Sequence, residues 1–543
     1  MKKTLLLLAA LSFTPRVAEA CGGFFCSRTQ PVNQAAERII FAKNADGTVT
    51  SIVQIQYQGP SEKFSWVLPV PSIPQVSVSS NAAFARLQTA TNPQYVLTTT
   101  TEGTCRVDTT RVFSPGVPVS DAESGGKSVQ VVAKGSVGPY DYDVLQVNAA
   151  HSDKAEVAIA WLQANGYDVG SIGPALIRPY LEQGDLLLAF RLSKQSGATA
   201  GDIRPVVLRF KDDLPMIPIK LTAVAAQDDM GVLVWVLGEH RSVPTNYRHL
   251  VLNEAAIDWT TGGGNYNTVV NLAANEAGGQ GFVTEYANAS STMANIVFSS
   301  AEADDWNQLK AQPLATTLAL AEAIAQRFSS LDGLGDALET FVRPPSNVTM
   351  TEYLQCPSCY ELSLVRENAA ELVAAVETNA IKPMRDTQAV IDSLPYITRM
   401  YSTLSADEMT VDPDFAYNAD LPTYSNIHTA TRVIHCNAFV ESFEAPWTVK
   451  FADGTKVEGR GGAGWPLTVG TDTPATSLIV QLSVSGVGEV VKDNRATVGD
   501  SVKTANSKQA GACNANGDAF WPLALIAIVL AGRRSLRGSR TQV

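Results

Sequence analysis

Apolar and polar residues alternate in short runs through the first half of the chain. Arg38 to Ala42 and Val49 to Gln58 flank Asn44-Ala45-Asp46-Gly47, and Val49, Ile52, Ile55 and Tyr57 carry the apolar positions. An Asp-Gly pair between two such runs predicts a β-hairpin. Further strand patterns fall at Phe64 to Val70, Val129 to Lys134, Tyr140 to Val147, Leu186 to Leu192, Val206 to Phe210, Ile217 to Val224 and Val232 to Gly238. Helical spacing predicts a short helix at Asn81 to Thr91. A second should start at Ser152, with Ala155, Ile159 and Leu162 on one face and Asn165-Gly166 as its stop. From Ala301 to about Met409 the pattern is mostly helical, as in Leu314 to Phe328 and Glu361 to Asn379. Strand patterns return at Thr431 to His435, Trp447 to Phe451 and Ser477 to Ser483.

These patterns predict an α+β fold. Residues 21–255 form a β-rich domain with a few helices, 256–420 a mainly helical segment, and 421–493 a strand-rich part that rejoins one of the others. A flexible linker is expected over 494–512, rich in Ser, Thr, Ala, Gly and Lys. No repeat of fixed period is present.

The two ends read as addresses. Lys2 and Lys3, the apolar run Leu5 to Leu11, and Ala18-Glu19-Ala20 fit a secretory signal over 1–20, which makes Cys21 the first residue after cleavage. An uncleaved anchor and a lipid on Cys21 are the alternatives. At the other end, the uncharged stretch 519–532 is followed by Arg533, Arg534, Arg537 and Arg540. An Arg excess beside an apolar span keeps that end in the cytoplasm and the body outside. As a helix the stretch covers about 21 Å, less than a bilayer's roughly 30 Å hydrocarbon core. Cys513, the apolar span and the Arg cluster resemble the MYXO-CTERM type of tripartite sorting tail, in segment 513–543. That resemblance implies a membrane protease that removes the tail, with Cys513 as its processing point. It departs from the usual pattern in its single Cys and in Pro522.

Composition narrows the classes. With 45% hydrophobic and 17% charged residues the chain is neither disordered nor polytopic. The net charge of −12 disfavours nucleic acid, and an acidic body outside a membrane favours solubility and attracts cations. Export permits disulfides. Six cysteines remain in the body when Cys513 is assigned to the tail: Cys21, Cys26, Cys105, Cys356, Cys359 and Cys436. Spacing suggests Cys21–Cys26, Cys356–Cys359 and a long-range Cys105–Cys436 bridge. Cys356-Pro-Ser-Cys359 stands before a helical pattern, so a redox pair and half of a metal site are open beside a structural bridge.

Other chemistry is thin. His151, His240, His249, His428 and His435 fit no metalloprotease spacing. Gly459 to Gly464 matches G-x-G-x-x-G by letter, but Trp465-Pro466 cannot open the helix that motif needs, which leaves a loop. Asp412, Asp414, Asn418 and Asp420 form an oxygen-rich loop that could hold Ca²⁺, although EF-hand spacing is absent. Phe64, Trp66 and the prolines 69, 71 and 74 line either the core or a ligand groove. No other cofactor is expected.

Cys21-Gly-Gly-Phe-Phe-Cys26, Glu37-Arg38-Ile-Ile-Phe41, residues 54–59 (QIQYQG), Phe64 to Pro71, Val137 to Tyr140, Trp161-Leu162 with Asn165-Gly-Tyr167, Pro215 to Thr222 and Asn246-Tyr247-Arg248 resemble the DUF2330 family of exported bacterial proteins. The family carries no established activity. The expectation is an exported, surface-anchored protein, binding or structural rather than catalytic. Its partners would be the membrane, reached through the tail, and the secretion and sorting proteases. The rival is an exported enzyme: a thiol-disulfide oxidoreductase using Cys356 and Cys359, or a hydrolase whose residues are scattered along the chain.

Overall fold

The computed structural model describes residues 33–58, 65–105, 131–147, 153–165, 167, 173–192, 203–224, 226–311, 316–470 and 472–518. Residues 1–20, Cys21, Cys26, the stretch 519–532 and the Arg cluster at 533–540 lie outside them. The fold is mixed α+β, built on one ten-stranded sheet.

The strand Ala226–Gly238 runs through the middle of that sheet. Its side chains alternate between two apolar sets: Val232, Val234 and Val236 point into one core, Leu233, Trp235 and Leu237 into another. A strand apolar on both faces must be covered on both. Asn33–Lys43 lies parallel to it and forms with Thr48–Gln58 the hairpin expected from the Asp-Gly turn. Gly47 takes φ +77° there, a conformation that only glycine adopts freely. Val206–Lys211 and Gln75–Val78 complete that side.

The other side of the sheet comes from later in the chain. Tyr396–Leu404 pairs with the central strand, followed outward by Gly281–Ala289, Arg248–Leu252, Thr476–Gln481 and Glu489–Asp493. The 256–420 segment therefore supplies two strands of the sheet, and 421–493 supplies two more. The helical pattern read from Ala301 to Met409 holds for Ser300–Ala311, Thr317–Phe328, Ala369–Val376 and Lys382–Asp392, but Tyr396–Leu404 is a strand.

One face of the sheet is covered by these helices and by Asn81–Thr91. The other meets a four-stranded sheet of Ser65–Val70, Leu186–Leu192, Tyr140–Leu145 and Val131–Val137. Trp66 stacks on Phe190 in that interface, ring centroids 5.5 Å apart, and is core rather than groove. The helices Lys154–Ala164 and Pro174–Gln183 cover its outer side. Asp153 caps the first of them by accepting from the N–H groups of Ala155 and Glu156, so the helix begins after Asp153 and not at Ser152.

Three other expectations are corrected. Residues 217–224 form a short helix, Ile219–Thr222, because Pro215 and Pro218 lack the N–H groups a strand ladder needs. The helix after the Cys356–Cys359 pair starts only at Ala369, capped by Asn368. The 494–512 segment is no free linker: Arg495–Asp518 is helical. Val498, Val502 and Ala505 recur at helical spacing; Val502 and Ala505 are buried. Asn506 donates to the Lys456 carbonyl and accepts from the Glu458 N–H, which docks the helix on a second four-stranded sheet. That sheet comprises Lys456–Arg460, Pro446–Lys450, Ile427–His435 and Gln94–Glu102. Among the described residues no helix is long and apolar enough to cross a membrane.

Candidate functional site

The second four-stranded sheet and the distal half of the large sheet enclose a third core, together with helix Tyr266–Glu276. Two cavities of about 410 Å³ each open beside this core and share Pro93, Tyr95, Tyr266 and Glu285 as a common wall.

Local sequence places each wall group. Pro93 ends the turn after helix Asn81–Thr91, and Tyr95 follows at the start of its strand. Tyr95 is in register with His428 on the parallel neighbour, so the two rings stack at 4.8 Å, 18° apart. Glu285 is the extra residue at a register shift between Thr284, which pairs with Met400, and Tyr286, which pairs with Arg399. A bulge of this kind re-aims a side chain. Here Arg399 Nε donates to Glu285 Oε2 at 2.5 Å, and the Tyr266 hydroxyl donates to Oε1 at 2.6 Å. Both members of the ion pair are buried. Arg399 also donates to the Gln88 carbonyl and to Thr91 Oγ1 at the C-terminal end of helix Asn81–Thr91, where a cation is favoured. The Trp235 ring lies 5.5 Å from the guanidinium.

In the first cavity, Glu254 belongs to the one-turn helix Glu254–Ala256 that follows strand Arg248–Leu252. The preceding residue pins this turn: Asn253 donates from its N–H to Ala475 O and from Nδ2 to Pro474 O. Glu254 Oε1 lies 2.6 Å from His428 Nδ1. Tyr424, Phe451, Asp453 and Ser477 line the remainder, with Arg495, Val498 and Gly499 from the C-terminal helix. Burial pushes the Tyr424 hydroxyl up to about 12, with the Glu254 charge adding. Burial raises Tyr95 and Tyr266 further, and the Glu254 and Glu285 charges respectively add to it. All three phenols therefore stay neutral at physiological pH. The second cavity is the more polar, with Glu37, Arg38, Gln88, Asn92 and Tyr401 around Arg399.

The residues singled out in the sequence lie elsewhere. Cys105 is bonded to Cys436, joining the ends of two paired strands, and Cys356 to Cys359. The sequence placed these four cysteines in the same two pairs. Cys356 closes helix Met350–Gln355 at its C-terminal end. Cys513 falls in the helix Arg495–Asp518.

The oxygen-rich residues divide between the two ends of the short strand Phe415–Asn418. Asp412 pairs with Lys220 at 3.0 Å and accepts from the Tyr180 hydroxyl, while Asp414 lies beside Asn246. Burial, then the Asp412 charge, raises the Asp414 carboxyl. At the far end Asn418 donates to the carbonyls of Ser483 and Gly486, and Asp420 accepts from the Gly486 N–H. The structure does not bring the four together. Among the described residues no cluster of three or more His, Cys, Asp or Glu side chains has the geometry to hold a metal ion. Gly459 and Arg460 end the strand Lys456–Arg460, and the loop that Trp465-Pro466 implies starts at Gly461.

Tyr95, Glu254, Tyr266, Glu285, Arg399 and His428 were not singled out as a group in the sequence. Glu254 and His428 are 174 positions apart, and no spacing rule joins them.

Comparison with known proteins matches residues 15–305 to the DUF2330 family, described as an uncharacterized protein conserved in bacteria. No curated protein and no solved structure matches the chain. The match holds Tyr95, Glu254, Tyr266 and Glu285, whereas Arg399, Tyr424 and His428 lie beyond it.

Proposed function

The chain belongs to the DUF2330 family, and from that premise we propose that it is an exported protein, held at the cell surface by its C-terminal segment, whose body binds a small ligand in the twin cavity walled by Tyr95, Tyr266 and Glu285. The carrying observation is the buried Glu285–Arg399 pair between two cavities of ligand size. Taking two charges out of water costs several kcal/mol per ion, and a fold needing stability alone does as well with apolar residues. Ligand sites are apolar, aromatic-lined hollows with a few fixed polar groups, which describes the first cavity. Export and anchoring rest on the two termini of the sequence. A fragment screen by ligand-observed NMR on the full chain tests the cleft. Val498→Trp places an indole in the first cavity from a helix surface. Hits on the wild type that vanish with Val498→Trp support the reading, and a hit list unchanged by that variant overturns it.

One observation favours an exported hydrolase as a second reading. His428 is oriented by the Glu254 carboxylate, and its Nε2 has no hydrogen-bond partner among the described residues. A carboxylate-oriented histidine is the general-base half of a hydrolytic site. Turnover of p-nitrophenyl acetate that His428→Asn abolishes would establish this reading over simple binding. A rate equal to the buffer background removes it.

A further inference from the structure

The first cavity presents an excess of hydrogen-bond acceptors. Asn253 lines it at 1% exposure, and its Oδ1 is a buried acceptor with no partner, while Nδ2 is held by Pro474 O. An orphaned buried acceptor is costly and marks a place for a missing donor. Glu254 and Asp453, which also line it, have no Lys or Arg partner among the described residues. The lining cation, Arg495, already donates to both carboxylate oxygens of Asp493, from Nε to Oδ1 and from Nη2 to Oδ2. Glu285 is matched by Arg399. The balance left over is negative.

The walls are aromatic. Tyr95 is held between His428 and Trp259, with Tyr266 tilted against it at 6.0 Å. Rings around a negative site attract organic cations through the π face and are of no use to a bare metal ion, which needs converging oxygen ligands. Arg241 lies 5.7 Å from the Tyr424 ring centroid, so that ring already carries a cation. With Tyr424 and Tyr95 so engaged, Tyr266 is the lining tyrosine left to face a cation.

We propose that this cavity binds a compact organic ammonium ion, its N–H groups directed to Glu254 and Asn253 Oδ1 and its carbon skeleton against Tyr266. The inference rests on the reading of the cleft as a ligand site and adds the class of ligand. An anion is disfavoured by the Glu254 and Asp453 carboxylates, which have no Lys or Arg partner among the described residues. A neutral ligand could use the acceptors but not the charge.

Three probes of one shape and different charge separate these cases: benzylammonium, benzyl alcohol and benzoate, titrated into the full chain by calorimetry at neutral pH. Benzylammonium should bind at least tenfold more tightly than benzyl alcohol, and benzoate should show no binding. Glu254→Gln should weaken benzylammonium at least tenfold and benzyl alcohol by a clearly smaller factor. Glu254 is partly exposed and holds no backbone group through its side chain, so the variant should keep the wild-type melting temperature; Asp453→Asn serves as a second charge-removing variant. Benzoate or benzyl alcohol binding as well as the amine overturns the ammonium assignment and leaves the cleft as a ligand site. Absence of binding by all three also overturns the assignment, and the Val498→Trp screen then decides separately whether the cleft binds anything.

Discussion

Glu285 and Arg399 show how single residues are tuned by what surrounds them. The pair is tolerated because every strong group has a use: Glu285 accepts from Arg399 and Tyr266, and Arg399 also satisfies Gln88 O and Thr91 Oγ1. Removing one partner of such a pair typically costs about 3–5 kcal/mol. His249 is a second case. It keeps part of its surface open, but the protein packed around its ring excludes water, and the Arg241 charge adds to this. Together they push its pKa down, to about 3. The folded state then binds fewer protons than the unfolded state between about pH 6.5 and pH 3. Stability is full above the unfolded value and falls as the pH drops through this window, by at most about 1.4 kcal/mol per pH unit. Urea unfolding from pH 7 to pH 4 should show this decline, and His249→Gln should flatten it. An identical slope in the variant would assign the decline to carboxylates instead. At this scale the sequence was legible where chemistry is local or strongly constrained: the Asp46-Gly47 turn and the two cysteine pairs. His428 gave no signal, because its role comes from a strand register with Tyr95 and a turn 174 residues away.

Elements were legible when their own pattern decided them. The helix at Asn81–Thr91 and the strand Leu186–Leu192 lie where periodicity puts them. Tyr396–Leu404 was hidden because its residues satisfy both periods and it follows a long helical stretch; pairing on both edges with Ala226–Gly238 and Gly281–Ala289 makes it a strand. The helix Arg495–Asp518 was hidden for the opposite reason. Its composition is polar and small, and only Val498, Val502 and Ala505 mark an inward face. That face joins a core containing Trp447, Val449 and Val457. Val502→Asp puts a carboxylate into this contact and should cost on the order of 2–4 kcal/mol in chemical denaturation, through lost burial and an unpaired buried charge. Protease sensitivity should rise first around residues 495–510. A loss below about 0.5 kcal/mol, within the range of ordinary surface substitutions, would mean that the helix is not held there.

The whole molecule joins the family-matched region to the chain that follows it. Residues 15–305 supply most of the large sheet, but Tyr396–Leu404 inserts beside its central strand and Thr476–Asp493 finishes its edge. The cleft is divided in the same way, with Tyr95, Glu254 and Glu285 from within the match and Arg399 and His428 from beyond it. The C-terminal helix then links the cleft to the proposed anchor, since Arg495, Val498 and Gly499 line the first cavity at its start. At about 1.5 Å per residue, Arg495–Asp518 extends about 36 Å, which bounds the distance from the cavity to the start of the apolar stretch at 519. The tail itself is tested through charge. Replacing Arg533, Arg534, Arg537 and Arg540 with Gln removes the charge excess proposed to hold the terminus in the cytoplasm. Fractionation should find the variant released or mislocalised, while benzylammonium binding by the purified full chain should be unchanged, because none of those residues lines the cleft. Surface retention equal to wild type would show that those arginines do not hold the protein there. The proposed surface attachment would then need another tether, and Cys21, which the expected signal cleavage would make the first residue, is where a lipid would be sought.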